Sequence, residues 1–288
     1  MKAFGKHFPY LGIKELVEYY AVFDGYEELE SLTLYETLQE NIKENILKKY
    51  NQLHPMFIYS DDKKTQQDIE KLLFRIAVGN RKIHSIYKND ISQFKGSSLY
   101  KTLFSKDIIF KEHSREKMPL HPLKKEFRRY KIEDKIIFSR GFNRFWFTFI
   151  APYAKLIEKG GYDEVLKLIS DEIDKYISLS FEMLSNDLIL KEFDITESGS
   201  YWDRYIELDI MAKTSNGKTI AGEAKWKNQK ISKNTLNKLQ KKCELAGLKV
   251  DYFALFSKSG FSNELLKKHD KNVLLYDIDS FKGLLDDR

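Results

Sequence analysis

A single cysteine, Cys243, stands in a chain of 288 residues. It excludes an internal disulfide framework and fits a reducing cytosol. The six histidines are scattered, and no Cys/His cluster has zinc spacing. No window has the length and apolarity of a membrane span, and the opening MKAFGKHFPYLGIKE lacks the form of a signal peptide. A cytoplasmic protein with no membrane partner is therefore expected. What is present suffices for real cores, with 42% hydrophobic and 32% charged residues. The length allows one large domain or two to three small ones.

The net charge of +6 is unevenly spread. Residues 81–150 hold 17 Lys/Arg against 7 Asp/Glu, and residues 211–250 hold 10 Lys against 2 Glu. Between them, residues 161–210 are strongly acidic. Basic blocks attract phosphate backbones through counterion release. A solvated lysine-rich surface has the same composition.

The chemistry concentrates in residues 205–225, YIELDIMAKTSNGKTIAGEAK. Asp209 ends one apolar–acidic strand, and Glu223-Ala-Lys225 lies on a second, 14 positions later. Residues i and i+2 share a strand face, so Glu223 and Lys225 point together. The turn Ser215-Asn216-Gly217-Lys218 carries the Asn-Gly hairpin signal and folds Asp209 back beside them. Two carboxylates can hold Mg²⁺ or Mn²⁺, and a lysine can offset charge developing on a phosphate. Glu207 shares the strand face of Asp209 and is a further candidate ligand. Residues 212–219 also fit a loose phosphate-loop pattern, but the segment that follows reads as a strand where a phosphate loop needs a helix. No nucleotide is expected there. Two chance carboxylates on a plain strand pair remain the alternative.

Residues 12–50 read as helical, with Gly25 breaking the run. Residues 65–106 read as three short helices: one capped by Thr65, one marked by Ile83, Ile86 and Ile91, and one starting at Gly96. Ile108–Phe110 and Tyr130–Ile132 read as a β-ribbon. Three helices and a ribbon form the winged helix-turn-helix pattern, whose third helix enters the major groove. Ser97, Ser98, Tyr100, Lys101 and Ser105 would be its exposed DNA contacts. A small helical adaptor for protein is the competing reading. Phe142, Phe145, Trp146, Phe147 and Phe149 form an aromatic connector suited to core packing. A long amphipathic helix or helix pair spans 162–190 and carries Glu182. After the hairpin come a helix whose exposed face carries Lys238, Lys241 and Lys242, a strand at 250–256, a helix at 261–269 and a strand at 273–276. Helices and strands in this order predict a mixed sheet flanked by helices. Expected domains are 1–64, 65–139, 140–160 and 161–288.

With Asp209 and Glu223-Ala-Lys225 on its core strands, this α+β order resembles the PD-(D/E)XK restriction-endonuclease-like fold. Phe181-Glu182, Tyr201-Trp202-Asp203, Glu207–Ala212 and Gly222–Trp226 further resemble the C-terminal domain of the archaeal-type AAA ATPases. In that family the domain follows a winged helix and a segment like Arg144–Pro152. Tyr19–Phe23 and Leu38–Ile42 resemble the lid helices that close the family's ATPase module. The family's nucleotide-binding core has no counterpart here, and its tight Gly-Gly near the lid appears as Asp24-Gly25, so ATP hydrolysis does not carry over. The resemblance implies a lid remnant able to dock a protein partner, a DNA-binding winged helix and a nuclease-like domain. Its metal ligands would be Asp209, Glu223, Glu182 and Glu207, and Lys225 would be the catalytic cation. The implied reaction is in-line hydrolysis of a DNA phosphodiester, leaving a 5′-phosphate. Lys227 and Lys238 would help hold the duplex. A catalytically silent DNA-binding or assembly module is the competing class.

Overall fold

The computed structural model describes residues 1–26, 29, 32–79, 81–83, 90–115, 132–267 and 270–286. The described helices of the α type are α1 (Lys2–His7), α2 (Ile13–Phe23), α3 (Leu38–Ile42), α4 (Tyr50–Leu53), α5 (Lys63–Val78), α6 (Gln93–Ser105), α7 (Gly141–Phe145), α8 (Ala154–Glu158), α9 (Tyr162–Glu192), α10 (Lys233–Leu245) and α11 (Asn263–Lys267). The strands are β1 (Ile109–Glu112), β2 (Lys135–Phe138), β3 (Ile195–Trp202), β4 (Glu207–Thr214), β5 (Thr219–Lys225), β6 (Tyr252–Ser257) and β7 (Val273–Tyr276). The chain divides into a helical unit, Glu18–Glu112 with Glu133–Asp174, and a sheet unit, Met1–Val17 with His113–Ile132 and Lys175–Arg288.

The helical unit is built around stacked aromatics. The Trp146 ring lies parallel to Phe57, with centroids 4.1 Å apart, and parallel to Tyr50 at 5.5 Å. Phe142 meets Phe57 edge-on. The aromatic connector thus serves as core of this unit. Trp146–Ile150 forms a π-helical turn continuing α7. Gly25 takes a left-handed backbone, and a Cβ there would stand 2.7 Å from the Arg140 side chain. That bare turn lets the Asp24 carbonyl accept the Phe142 N–H at 2.8 Å.

Helix α5 begins at Lys63, because the Asp62 carboxylate accepts the Thr65 N–H at 2.8 Å; the cap is Asp62, and Thr65 sits inside the first turn. Ile69, Leu72, Leu73 and Ile76 form its buried stripe, as the spacing predicts. Helix α6 begins at Gln93, capped by Ser92, a little before the expected start. Ile86 and Tyr130 of the expected second helix and ribbon lie outside the described residues. The ribbon's second strand is Lys135–Phe138, with Ile109 opposite Phe138. All four of its residues are buried, so the apolar run Ile136-Ile137-Phe138 decides the pairing and Ile132 stays outside it.

The sheet unit holds one five-stranded mixed sheet in the order β3-β4-β5-β6-β7. β3, β4 and β5 are antiparallel neighbours, and β5, β6 and β7 run parallel. Leu236, Leu239 and Cys243 of α10 pack with Ala221, Leu255 and Val273 of the sheet. That placement follows from the crossover between parallel β5 and β6, which must lay a helix on a sheet face. The edge strand β3 has no counterpart in the expected order. Its sequence, ITESGSYW, is poor in alternating apolar residues, and register shifts interrupt its pairing with β4. Helix α9 is one continuous helix of 31 residues.

Candidate active site

The turn Ser215–Lys218, with Gly217 at φ 83°, folds β4 onto β5 as the sequence predicts. Ile210 pairs with Gly222 and Met211 with Ala221, so Asp209 and Glu223 point from the same sheet face one step further along. Asp209 lies within β4, since the strand continues to Thr214. Beyond the last backbone pair its carboxylate takes over the ladder's role: Oδ2 accepts the Ala224 N–H at 2.9 Å. A Cβ on Gly222 would stand 3.1 Å from the Ile210 side chain, which accounts for the glycine beside Glu223.

Three of the predicted residues converge. Lys225 Nζ donates to Glu223 Oε1 at 2.6 Å and lies 3.7 Å from Asp209 Oδ2. Glu223 is buried with a side chain 11% exposed, and Asp209 is nearly so. Glu182, half-buried on α9, adds negative potential that helps raise the Lys225 pKa. Glu207 is exposed on the same strand as Asp209.

One participant was absent from the predicted set and is a correction: Lys242, expected on the exposed helix face with Lys238 and Lys241, is half-buried. Lys242 Nζ on α10 donates to Glu223 Oε2 at 2.8 Å, so both glutamate oxygens are held by ammonium groups. A weak signal existed: Lys242 flanks the apolar stripe of Leu239 and Cys243, so it lies at the margin of the helix's packed face. Lys258, whose backbone N–H donates to the Lys225 carbonyl at 3.2 Å, holds its ammonium 4.7 Å from the Trp226 ring centre.

The electrostatics separate the two carboxylates. Burial and the neighbouring Glu223 charge push Asp209 up to about 6. Burial also acts to raise Glu223, but the charges and hydrogen bonds of Lys225 and Lys242 outweigh it and hold the carboxyl below its ordinary value. Burial acts to lower Lys225, yet Asp209 and Glu223 together hold it above the usual lysine range. Near neutral pH Asp209 and Glu223 are therefore both carboxylates facing the Lys225 ammonium.

These residues suit a hard divalent cation in part. Among the described residues no group of three or more His, Cys, Asp or Glu side chains is placed to hold a metal ion. Mg²⁺, however, is commonly held by one or two carboxylates, with water and substrate phosphate completing the shell. Asp209 and Glu223 supply those oxygens around one cationic position, now filled by Lys225 Nζ. A metal there would have to displace an ammonium from Glu223.

The predicted DNA contacts divide. Ser97, Ser98, Lys101 and Ser105 are exposed on α6, and Lys227 and Lys238 are exposed in the sheet unit. Tyr100 is a correction: it is 3% exposed and stacks on Phe104. Its place beside Leu99 and Leu103 puts it on the packed side of the helix. Among the described residues no helix is long and apolar enough to cross a membrane.

The family described as archaeal and bacterial proteins of unknown function, DUF234, matches residues 146–239, about a third of the chain. The matched stretch contains Glu182, Asp209, Glu223 and Lys225 and stops just short of Lys242. No curated protein and no solved structure matches.

Proposed function

We propose that this protein binds DNA and hydrolyses its phosphodiesters with Mg²⁺ or Mn²⁺, using a PD-(D/E)XK-like sheet unit. We further propose kinship with the C-terminal half of the archaeal-type AAA ATPases, with the residues before α5 as a lid remnant that docks a protein partner. The observation carrying the reading is the convergence of Asp209, Glu223 and Lys225 across two neighbouring strands. Buried charge is costly, and a structural role does not require two carboxylates meeting at one lysine.

A divalent ion bound there would supply charge stabilisation at the phosphate and make water a competent nucleophile. Asp209 and Glu223 would hold it once Asp209 has lost its proton, and Glu182 would add negative potential. Lys225, released from Glu223, would face the phosphate and offset charge on its oxygens in the transition state. Lys242 would occupy Glu223 Oε2 until the ion displaces it. Exposed Ser97, Ser98 and Lys101 would hold duplex phosphates, together with Lys227 and Lys238.

The test is cleavage of supercoiled and linear DNA in Mg²⁺ and in Mn²⁺ by wild type, Asp209→Ala and Lys225→Ala. Loss of cleavage on the order of 10²-fold or more in both variants is expected. Cleavage surviving in both would sink the reading.

A second reading has one observation in its favour. Both oxygens of Glu223 are occupied by lysines, a self-neutralised state that needs no ion. In that case the sheet unit is a catalytically silent DNA-binding or assembly module. Calorimetric titration of Mg²⁺ and Mn²⁺ into wild type and Glu223→Ala separates the two: heat lost in the variant supports the hydrolase, and no heat in either supports the silent module.

A further inference from the structure

We propose that the sheet unit carries a second ligand site, a cavity that takes one unpaired nucleotide of a nucleic-acid strand. This rests on the phosphodiester reading for its biological sense, though its chemistry stands apart from the carboxylate cluster. The cavity encloses about 550 Å³, well within the range of small-molecule sites. Met211 and Lys213 of β4, Tyr201 of β3, and Leu248 and Lys249 after α10 line it, with Arg115 and Glu197.

Its place on the sheet ties it to the candidate active site. Asp209, Met211 and Lys213 alternate on one face of β4, and Lys213 stands opposite Thr219 at the hairpin end. The cavity and the carboxylates therefore share a sheet face. Lys213 lies four steps along the strand from Asp209, about 13 Å at the usual rise. That is a span of a few nucleotides along a single strand.

The lining has two kinds of surface. Met211 and Leu248 offer an apolar bed, which suits the face of a base. Arg115, Lys213 and Lys249 surround it with positive charge, which suits a phosphate. Glu197 adds one acceptor, able to take the amino hydrogens of a base. Arg115 is a built feature of the wall. Its backbone N–H donates to the Ser200 carbonyl at 3.1 Å, anchoring it at the edge of β3. Gly199, at φ 153°, leaves bare backbone beside the guanidinium, since a Cβ there would stand 2.9 Å from Arg115 Nε. A purely apolar ligand would leave three cations without a partner, and a bare phosphate would leave the apolar bed wet. A base joined to a phosphate satisfies both.

The experiment titrates deoxycytidine 5′-monophosphate, deoxycytidine and inorganic phosphate into the full chain in EDTA, read by calorimetry. Wild type, Met211→Trp, Lys213→Glu and Asp209→Asn are compared, with thermal melts as a folding control. The expected result is nucleotide binding at least tenfold tighter than nucleoside or phosphate. Met211→Trp, which fills the cavity, and Lys213→Glu should each weaken it at least tenfold, and Asp209→Asn should not. If Met211→Trp fails to fold, the exposed Lys213 position carries the test. Wild-type affinity in the folded cavity variants overturns the proposal. So does phosphate binding as tightly as the nucleotide, or displacement of the nucleotide by an acidic peptide at equal concentration. A chain that binds nucleotide but never cleaves DNA sinks the hydrolase and leaves the cavity, whereas one that cleaves DNA but binds no nucleotide sinks the cavity alone.

Discussion

Asn41 of the helical unit and the carboxylate pair of the sheet unit are polar groups taken out of water in opposite ways. In the helical unit Asn41 is fully buried and neutral, and its amide nitrogen donates to the Tyr19 hydroxyl and to the Tyr35 and Thr37 carbonyls. Its oxygen accepts the Tyr35 N–H at 3.2 Å. These bonds tie α3 to α2 and to the chain at Tyr35. In the sheet unit the carboxylates of Asp209 and Glu223 are ionisable, mutually repelling and held by lysines. A neutral amide with all its bonds made is what stability selects. A carboxylate pushed up to about 6 beside a second carboxylate costs stability, and such costs gather where chemistry is done.

The sharpest way to break this contrast is to attack each core. Trp146→Ala removes the ring stacked between Phe57 and Tyr50 and should destabilise the helical unit by about 4 kcal/mol, read as a lowered urea midpoint. Asp209→Asn should do the reverse. In the folded chain Asp209 keeps its proton up to about 6, against an ordinary value of 3.8. The folded state thus binds the extra proton within that window, and wild-type stability falls as pH rises through it. The substituted amide cannot titrate, so the variant should gain on wild type between about pH 4 and 7, reaching at most about 3 kcal/mol. Parallel stability curves for the two proteins would erase the distinction drawn between the units.

Two smaller effects sharpen it. Lys242→Met frees Glu223 Oε2, so Mg²⁺ or Mn²⁺ affinity at pH 8 should rise several-fold by calorimetry. A fall would make Lys242 a support of the metal site. Lys101→Ala, on the exposed side of α6, should lower duplex affinity modestly and reduce the salt slope of log K by about 1. An unchanged slope would remove this helix from the DNA surface.

What the sequence revealed was local. Asn216-Gly217 fixes the hairpin, and the alternation of Glu223 and Lys225 fixes their shared face. Asp209 follows from both, because one turn and one register bring it across. Lys242 stayed hidden because its contact depends on where a crossover helix lands, and helix periodicity gives a face but no strand to meet it. Edge strand β3 hid for a different reason: Gly199 and the register shifts break the alternation by which strands are read. Tyr100 was misplaced because a tyrosine can finish a buried stripe or begin an exposed face, and the packing around Leu99 and Leu103 decided for the first. The mixed sheet flanked by helices, by contrast, was legible from element order alone.

The bond from the Ala224 amide to Asp209 makes the backbone itself an instrument. That proton leans on a carboxylate whose charge depends on pH and on any bound cation. Its nuclear resonance should shift as Asp209 ionises and shift again when a cation draws the carboxylate's electrons away. One amide signal would then record the state of the whole cluster in solution, with no reaction run.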